Sequence, residues 1–163
     1  MRIFKGMVVT ALMVLTGCVT NDPVGLNDAG RKIAMGYVET ALADPLPVLY
    51  EKAAAGSPYA ELTLGLALIM GRGGDILKNT GERYVLKAAS ASTSKTMSIY
   101  QPPVRQGLSG SVQNIQVHDP VIDRQIVTAA LTCAKAVSAK AAVMHGGAVC
   151  GGEAQYQRFL SLL

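Results

Sequence analysis

The stretch "SPYAELTLGLALIMGRGGDILKNTGERYVLKAAS", residues 57–90, decides the fold. Ser57 is placed to cap a helix, and Pro58 suits its first turn, where an amide N–H would have no partner anyway. Ala60, Leu64 and Leu68 recur at helical spacing and, with Gly65, form one stripe. A glycine inside a helix costs about 1 kcal/mol against alanine, so Gly65 signals a second helix crossing closely there. Gly71 and Gly73 predict a turn that needs positive φ. A second helix is expected from about Thr80 to Ala91, with Tyr84 and Ala88 facing its neighbour.

Working outward, Asn27 or Asp28 can cap a first helix that runs to about Ala43 and carries Ile33, Tyr37, Val38 and Leu42. Asp44-Pro45-Leu46-Pro47 breaks it and starts a short helix with Val48, Leu49 and Ala53, which stops near Gly56. Residues 92–119 read as an irregular loop, because Pro102-Pro103 and the Gly-Ser pairs are breakers. Val112, Ile115 and Val117 support at most one short strand there. Loops of this length in compact domains are usually functional or disordered. Tyr100 and Arg105 flank the prolines and suit either a recognition element or a solvated linker. Asp119-Pro120 then opens a long helix with Ile122, Ile126, Ala130, Cys133, Val137 and Ala141 on one face. Gly146-Gly147 is expected to end it. Glu153 to Leu163 reads as a terminal helix with Tyr156, Phe159, Leu160 and Leu163 turned inward.

The first seventeen residues are an address. Arg2 and Lys5 form a basic head, and the uncharged run Met7–Leu15 is roughly half the length that spans a bilayer. The run ends in Leu15-Thr16-Gly17-Cys18, which resembles the lipobox of bacterial lipoprotein precursors. That resemblance implies a signal peptide over 1–17, cleavage before Cys18, and a lipid on the Cys18 thiol. Two or three acyl chains hold a protein firmly to a membrane where one does not. Val19 follows the cysteine in place of the aspartate that marks inner-membrane retention, so the resemblance implies an outer-membrane lipoprotein facing the periplasm. Residues 18–26 would be a polar tether.

Roughly residues 46–90, one complete repeat and half of another within a repeat region placed at 27–91, resemble the Sel-like repeat, a tetratricopeptide relative built from antiparallel helix pairs. Ala60, Leu64, Gly65, Gly71, Gly73, Tyr84, Lys87, Ala88 and Ala89 match its pattern without a gap. Lys52-Ala53-Ala54 looks like the end of a preceding repeat. Leu68, Gly74, Leu77 and Gly81 depart from the usual tyrosine, apolar residue, aspartate and alanine. With this resemblance the expected fold is all-α: Sel-like helix pairs, then a disulfide-clamped helical hairpin over 120–163. Abundant alanine, no Trp and 5% aromatics agree with helices packed through small residues.

Removing Arg2 and Lys5 from the 15 basic residues leaves 13 against 11 acidic ones, a net charge of +2 for the processed chain. No Lys/Arg block occurs, so no nucleic-acid partner is expected. Once Cys18 carries lipid, Cys133 and Cys150 remain, and in an oxidising envelope they read as a disulfide. A metal site of the two cysteines with His145 is the alternative, though it lacks a fourth ligand and close Cys spacing. No metal or other cofactor is expected. His118 and His145 sit in no nucleophile or metal motif, and Gly71-Arg72-Gly73-Gly74 lacks the Lys-Ser/Thr of a phosphate loop. His145 fits a helix end, near terminal carbonyls. No catalytic residue is assigned, and an unrecognised hydrolase is the remote reading. Helix-pair repeats offer a concave face to protein ligands. The function expected is a lipid-anchored adaptor or assembly factor with a protein partner in the envelope, such as an accessory of a secretion or surface-structure apparatus. A structural envelope lipoprotein without a specific ligand is the competing class.

The lipobox reading is tested by Cys18→Ser. The variant should accumulate as unprocessed precursor and take up no labelled palmitate in cells; normal labelling would overturn it.

Overall fold

The computed structural model describes residues 26–103, 107 and 109–163; the signal, Cys18, the tether up to residue 25 and Arg105 lie outside them. Helix α3 (Pro58–Ile69) is buried without a break from Glu61 to Ile69. Leu62, Leu64, Leu66 and Leu68 alternate as they would on a strand. On a helix, steps of about 200° send successive ones to opposite sides. Every one is fully enclosed, so α3 is the hub of the core rather than an amphipathic surface helix. Helices α1 (Asp28–Ala43), α2 (Leu46–Ala54), α4 (Lys78–Ser90) and α5 (Arg124–Ser138) all border it or each other. Helices α6 (Val143–Val149) and α7 (Glu153–Leu162) pack on each other and on α5, and α7 reaches α1.

Local signals set the ends. Asn27 caps α1, its side chain accepting from Gly30 N at 2.8 Å. The inner face of α1 is Ala34, Met35, Val38, Ala41 and Leu42, whereas Ile33, expected on it, is half exposed. On α2, Leu49 and Ala53 are buried and Val48 turns outward. Ser57 holds the cap position of α3, but its hydroxyl makes no capping bond; its carbonyl accepts from Glu61 N at 2.9 Å.

Between α3 and α4 the glycines divide their work. Gly71 and Gly74 take positive φ, at 88° and 85°. Gly73, expected to share that role, instead provides space: a Cβ there would stand 2.9 Å from both Leu68 Cδ2 and Leu77 Cδ1. A 3-10 turn (Asp75–Leu77) feeds α4, which therefore starts at Lys78, two residues before the expected Thr80. Arg72, held between these glycines, donates from one guanidinium nitrogen to Ala41 O and Asp44 O, both at 2.6 Å. It thus satisfies carbonyls that the C-terminus of α1 leaves open.

The all-α expectation is wrong. Residues 92–119 are not a loop but an antiparallel ribbon of β1 (Ser92–Gln101) and β2 (Ser111–Pro120), in register from Ser92↔Pro120 to Gln101↔Ser111. Pro102-Pro103 and Gly107 belong to its tip alone. The ribbon leaves the helical body after α4 and returns beside its own start, where Val121 N donates to Ala91 O at 2.9 Å.

The C-terminal hairpin also needs correction, since it is three helices. Asp119-Pro120 ends β2, and α5 starts later, capped by Asp123, whose side chain accepts from Gln125 N at 2.7 Å. Gly146-Gly147 does not end a helix: both glycines are buried inside α6. A Cβ on Gly146 would stand 2.3 Å from the ring of the fully buried Tyr156. Tyr156 in turn donates its hydroxyl to Ala141 O at 2.7 Å. Phe159 is enclosed with it, whereas Leu163 is nearly half exposed. The expected Cys133–Cys150 disulfide is present, with a Cα–Cα distance of 4.9 Å and both residues fully buried. It joins the middle of α5 to the end of α6 and, for a loop of 17 residues, is worth about 3 kcal/mol in the chain-entropy model.

The α3–α4 crossing is glycine on glycine. A Cβ on Gly65 would stand 2.8 Å from Gly81 O, and one on Gly81 would stand 2.7 Å from Gly65 O. Gly65→Ala sets a helix-propensity gain of about 1 kcal/mol against overpacking of about 1–3 kcal/mol. Because the obstacle is backbone, the melting temperature should fall; an unchanged or higher value would show that the helices separate freely.

Candidate functional site

The residues that matched the repeat pattern build the α3–α4 pair rather than a reactive centre. Leu64 and Gly65 are buried in α3, and Ala88 is buried in α4. Ala60, Tyr84 and Ala89 are half-buried at the edges of surface grooves, while Gly71 and Gly73 shape the turn. Lys87 is exposed and donates to Glu61, a carboxylate whose side chain is only 4% exposed, at 2.5 Å. This hydrogen bond, then the charge of Glu61, holds the Lys87 ammonium above its ordinary pKa, against a smaller lowering by desolvation. Lys87 is therefore a fixed cation that answers a buried anion.

Other carboxylates are tied in the same way. Asp44 pairs with Lys52, Asp75 with Lys78, Glu82 with Lys135, Asp119 with Lys95 and Glu39 with Arg158. Lys78 holds the Asp75 carboxyl below its usual value, chiefly by a hydrogen bond. Tyr37 stacks on Tyr59 with centroids 6.3 Å apart, and burial, then Tyr59, raises its pKa. Its phenol stays neutral at physiological pH.

His118 is exposed on β2 and His145 is exposed in the first turn of α6, not at a helix C-terminus as expected. With Cys133 and Cys150 joined, neither sulfur is a thiolate, so the cysteine–histidine metal site does not form. Among the described residues no three His, Cys, Asp or Glu side chains gather to hold a metal ion. No described helix is long and apolar enough to cross a membrane.

What the helices do create is a groove between α4 and α5, about 400 Å³ in volume. Val85, Leu86 and Ala89 form one wall and Val127, Thr128 and Leu131 the other, with Arg124 and Ser90 at its polar margin. Leu86 is 68% exposed, an unusual amount for a leucine beside so much apolar surface. A second groove, about 380 Å³, runs along α1, α2 and α3 past Leu49, Tyr59 and Ala60, and the Lys52–Asp44 pair sits at it. The first has the more aliphatic lining. It is the seam where the chain leaves for the ribbon, so α4 and α5 touch over a short length only.

Sequence reasoning missed the groove, Glu61 and Arg72. Glu61 offered one signal, a carboxylate at the head of an apolar run. The groove offered Leu86, an apolar residue on the polar side of α4. Arg72 offered none, because its partners lie 28 and 31 residues away. No protein-family model, curated protein or solved structure matches the chain.

The Lys87–Glu61 pair has a pH signature. A lysine whose folded pKa is raised adds stability that is complete below the unfolded value and is lost as pH rises through the folded one. Lys87→Met should therefore melt below the parent at neutral pH, and the gap should close above pH 10.5, the ordinary lysine value. A gap constant from pH 7 to 12 would show that the charge of Lys87 contributes nothing.

Proposed function

We propose that this chain is a lipid-anchored envelope adaptor, held by Cys18 on the periplasmic face of the outer membrane, that docks a protein partner through the α4–α5 groove. The observation that carries the reading is the apolar groove itself: a long exposed leucine, flanking aliphatic walls and one cation at the margin. Such clefts take an amphipathic segment, whose apolar side chains fill the floor while an acidic group meets the charged rim. Arg124 fits that acidic group. The helix pair of residues 58–90 and its likeness to Sel-like repeats support the same reading, since those folds serve protein ligands. Six of the described carboxylates, Glu39, Asp44, Glu61, Asp75, Glu82 and Asp119, are held in ion pairs, which supports a binding role for the surface that carries them.

A photo-crosslinking residue at Leu86, in cells, tests this. It should yield one discrete protein adduct, whereas the same probe at Ile76, 92% exposed outside the groove, should not. Arg124→Glu should abolish the adduct without unfolding the chain, because an acidic residue suits the first turn of α5. Equal labelling at both sites, or adducts with cell-wall fragments alone, would replace the adaptor reading with that of a structural lipoprotein.

A further inference from the structure

The ribbon is the least explained part of the molecule. Of its twenty strand residues, only Val117 and Asp119 are even half-buried. Each ten-residue arm extends about 33 Å. The register places Met97, Ile99, Ile115 and Val117 on one face and a mostly polar set, with Tyr100 and Val112 near the tip, on the other. Two strands alone are marginal in water, and stable sheets need three or more, or a packed face. Nothing in the described chain supplies either.

The two free edges differ. On β1, Lys95 interrupts the strand, and a charged edge resists pairing. On β2, residues 111–117, "SVQNIQV", carry no charge, no proline and no glycine, and Val112, Ile115 and Val117 are β-branched. Short uncharged segments with high β-propensity and side-chain amides favour stacking against their own copies. The charges of the ribbon lie outside this run. Lys95 and Asp119 pair with each other at 3.1 Å near its base, so the two strands themselves carry no net charge, and Arg105, between them in sequence, is the one charge left over.

We propose that the β2 edge pairs antiparallel with the β2 edge of a second copy, making a four-stranded sheet about a two-fold axis. The register that matches the uncharged run with itself puts Asn114 on the axis. It sets Gln113 opposite Ile115, Val112 opposite Gln116 and Ser111 opposite Val117 of the other copy. Partners then share a face, so the two apolar stripes join into one. The two Asp119 side chains fall at opposite ends of the pairing, and no like charges meet. The interface is one strand long and below the roughly 1,200 Å² of a standard stable complex. The dimer should therefore be weak and concentration-dependent.

Cysteine trapping in the full chain tests the register. Opposed residues of an antiparallel pair stand about 4.5–5.5 Å apart at Cα, within reach of a disulfide. Asn114→Cys should form a covalent dimer under mild oxidation. Thr96→Cys, exposed on β1, should cross-link at least about tenfold more slowly, as only the β2 position meets the geometric limits of a disulfide. The parent chain, carrying the same Cys18, sets the background. Light scattering should show a mass rising towards the dimer with concentration in the parent. Asn114→Lys, which puts two ammonium groups on the axis, should stay monomeric with an unchanged melting temperature. Equal trapping at both positions, or a parent that remains monomeric up to millimolar concentration, would overturn the proposal; the groove-dependent adduct at Leu86 is read separately and does not depend on this result.

Discussion

The approach of Gly65 to Gly81 is the constraint on which the helical body rests. With no side chain on either residue, the backbones of α3 and α4 come close enough for Val85 and Leu68 to pack beside the crossing. That depth lets Lys87 reach across to Glu61, so the one buried carboxylate of α3 is answered from the neighbouring helix. It also fixes where the turn after α3 must lie, and hence where Arg72 can reach the end of α1. Burial of a helix on every side is possible only if its neighbours approach at different depths. Glycine supplies the closest approach and leucine the wider ones.

The C-terminal part is held by a different logic. Helices α6 and α7 are too short to be stable alone, and few large apolar residues line them. Tyr156, Phe159 and the covalent Cys133–Cys150 link take over that task. The tyrosine hydroxyl meets a carbonyl in the bend after α5, so its burial leaves no polar atom unanswered. The disulfide adds what a small core lacks.

Much of this was legible locally. The cap at Asn27, the helix from Asp28 to Ala43, the glycine at a helix crossing and the cysteine pair were each readable from a few neighbouring residues. The misreadings share one cause: a glycine or a polar alternation has more than one physical use. Gly146-Gly147 reads as a helix end, yet it serves as the flat surface that receives Tyr156. Ribbon residues 92–101 and 111–120 alternate mostly between polar side chains, so no buried face imposes the hydrophobic period that marks a strand. Prolines at the tip then coloured the whole segment as loop. The groove left one sequence signal, Leu86, but its second wall could not be read, because the groove is made by what α4 and α5 do not share.

The Ala91–Val121 hydrogen bond gives the ribbon a particular standing in the chain. Residues 92–120 leave and re-enter the body at one point, so the helices on either side meet as though joined by a short link. Closing so long an excursion carries only a logarithmic entropy penalty, and α3 needs nothing from it for its own burial. In architectural terms the ribbon is an appendix to the helical body. A change in its length or edge chemistry therefore falls on a stretch separate from the one that sets core stability.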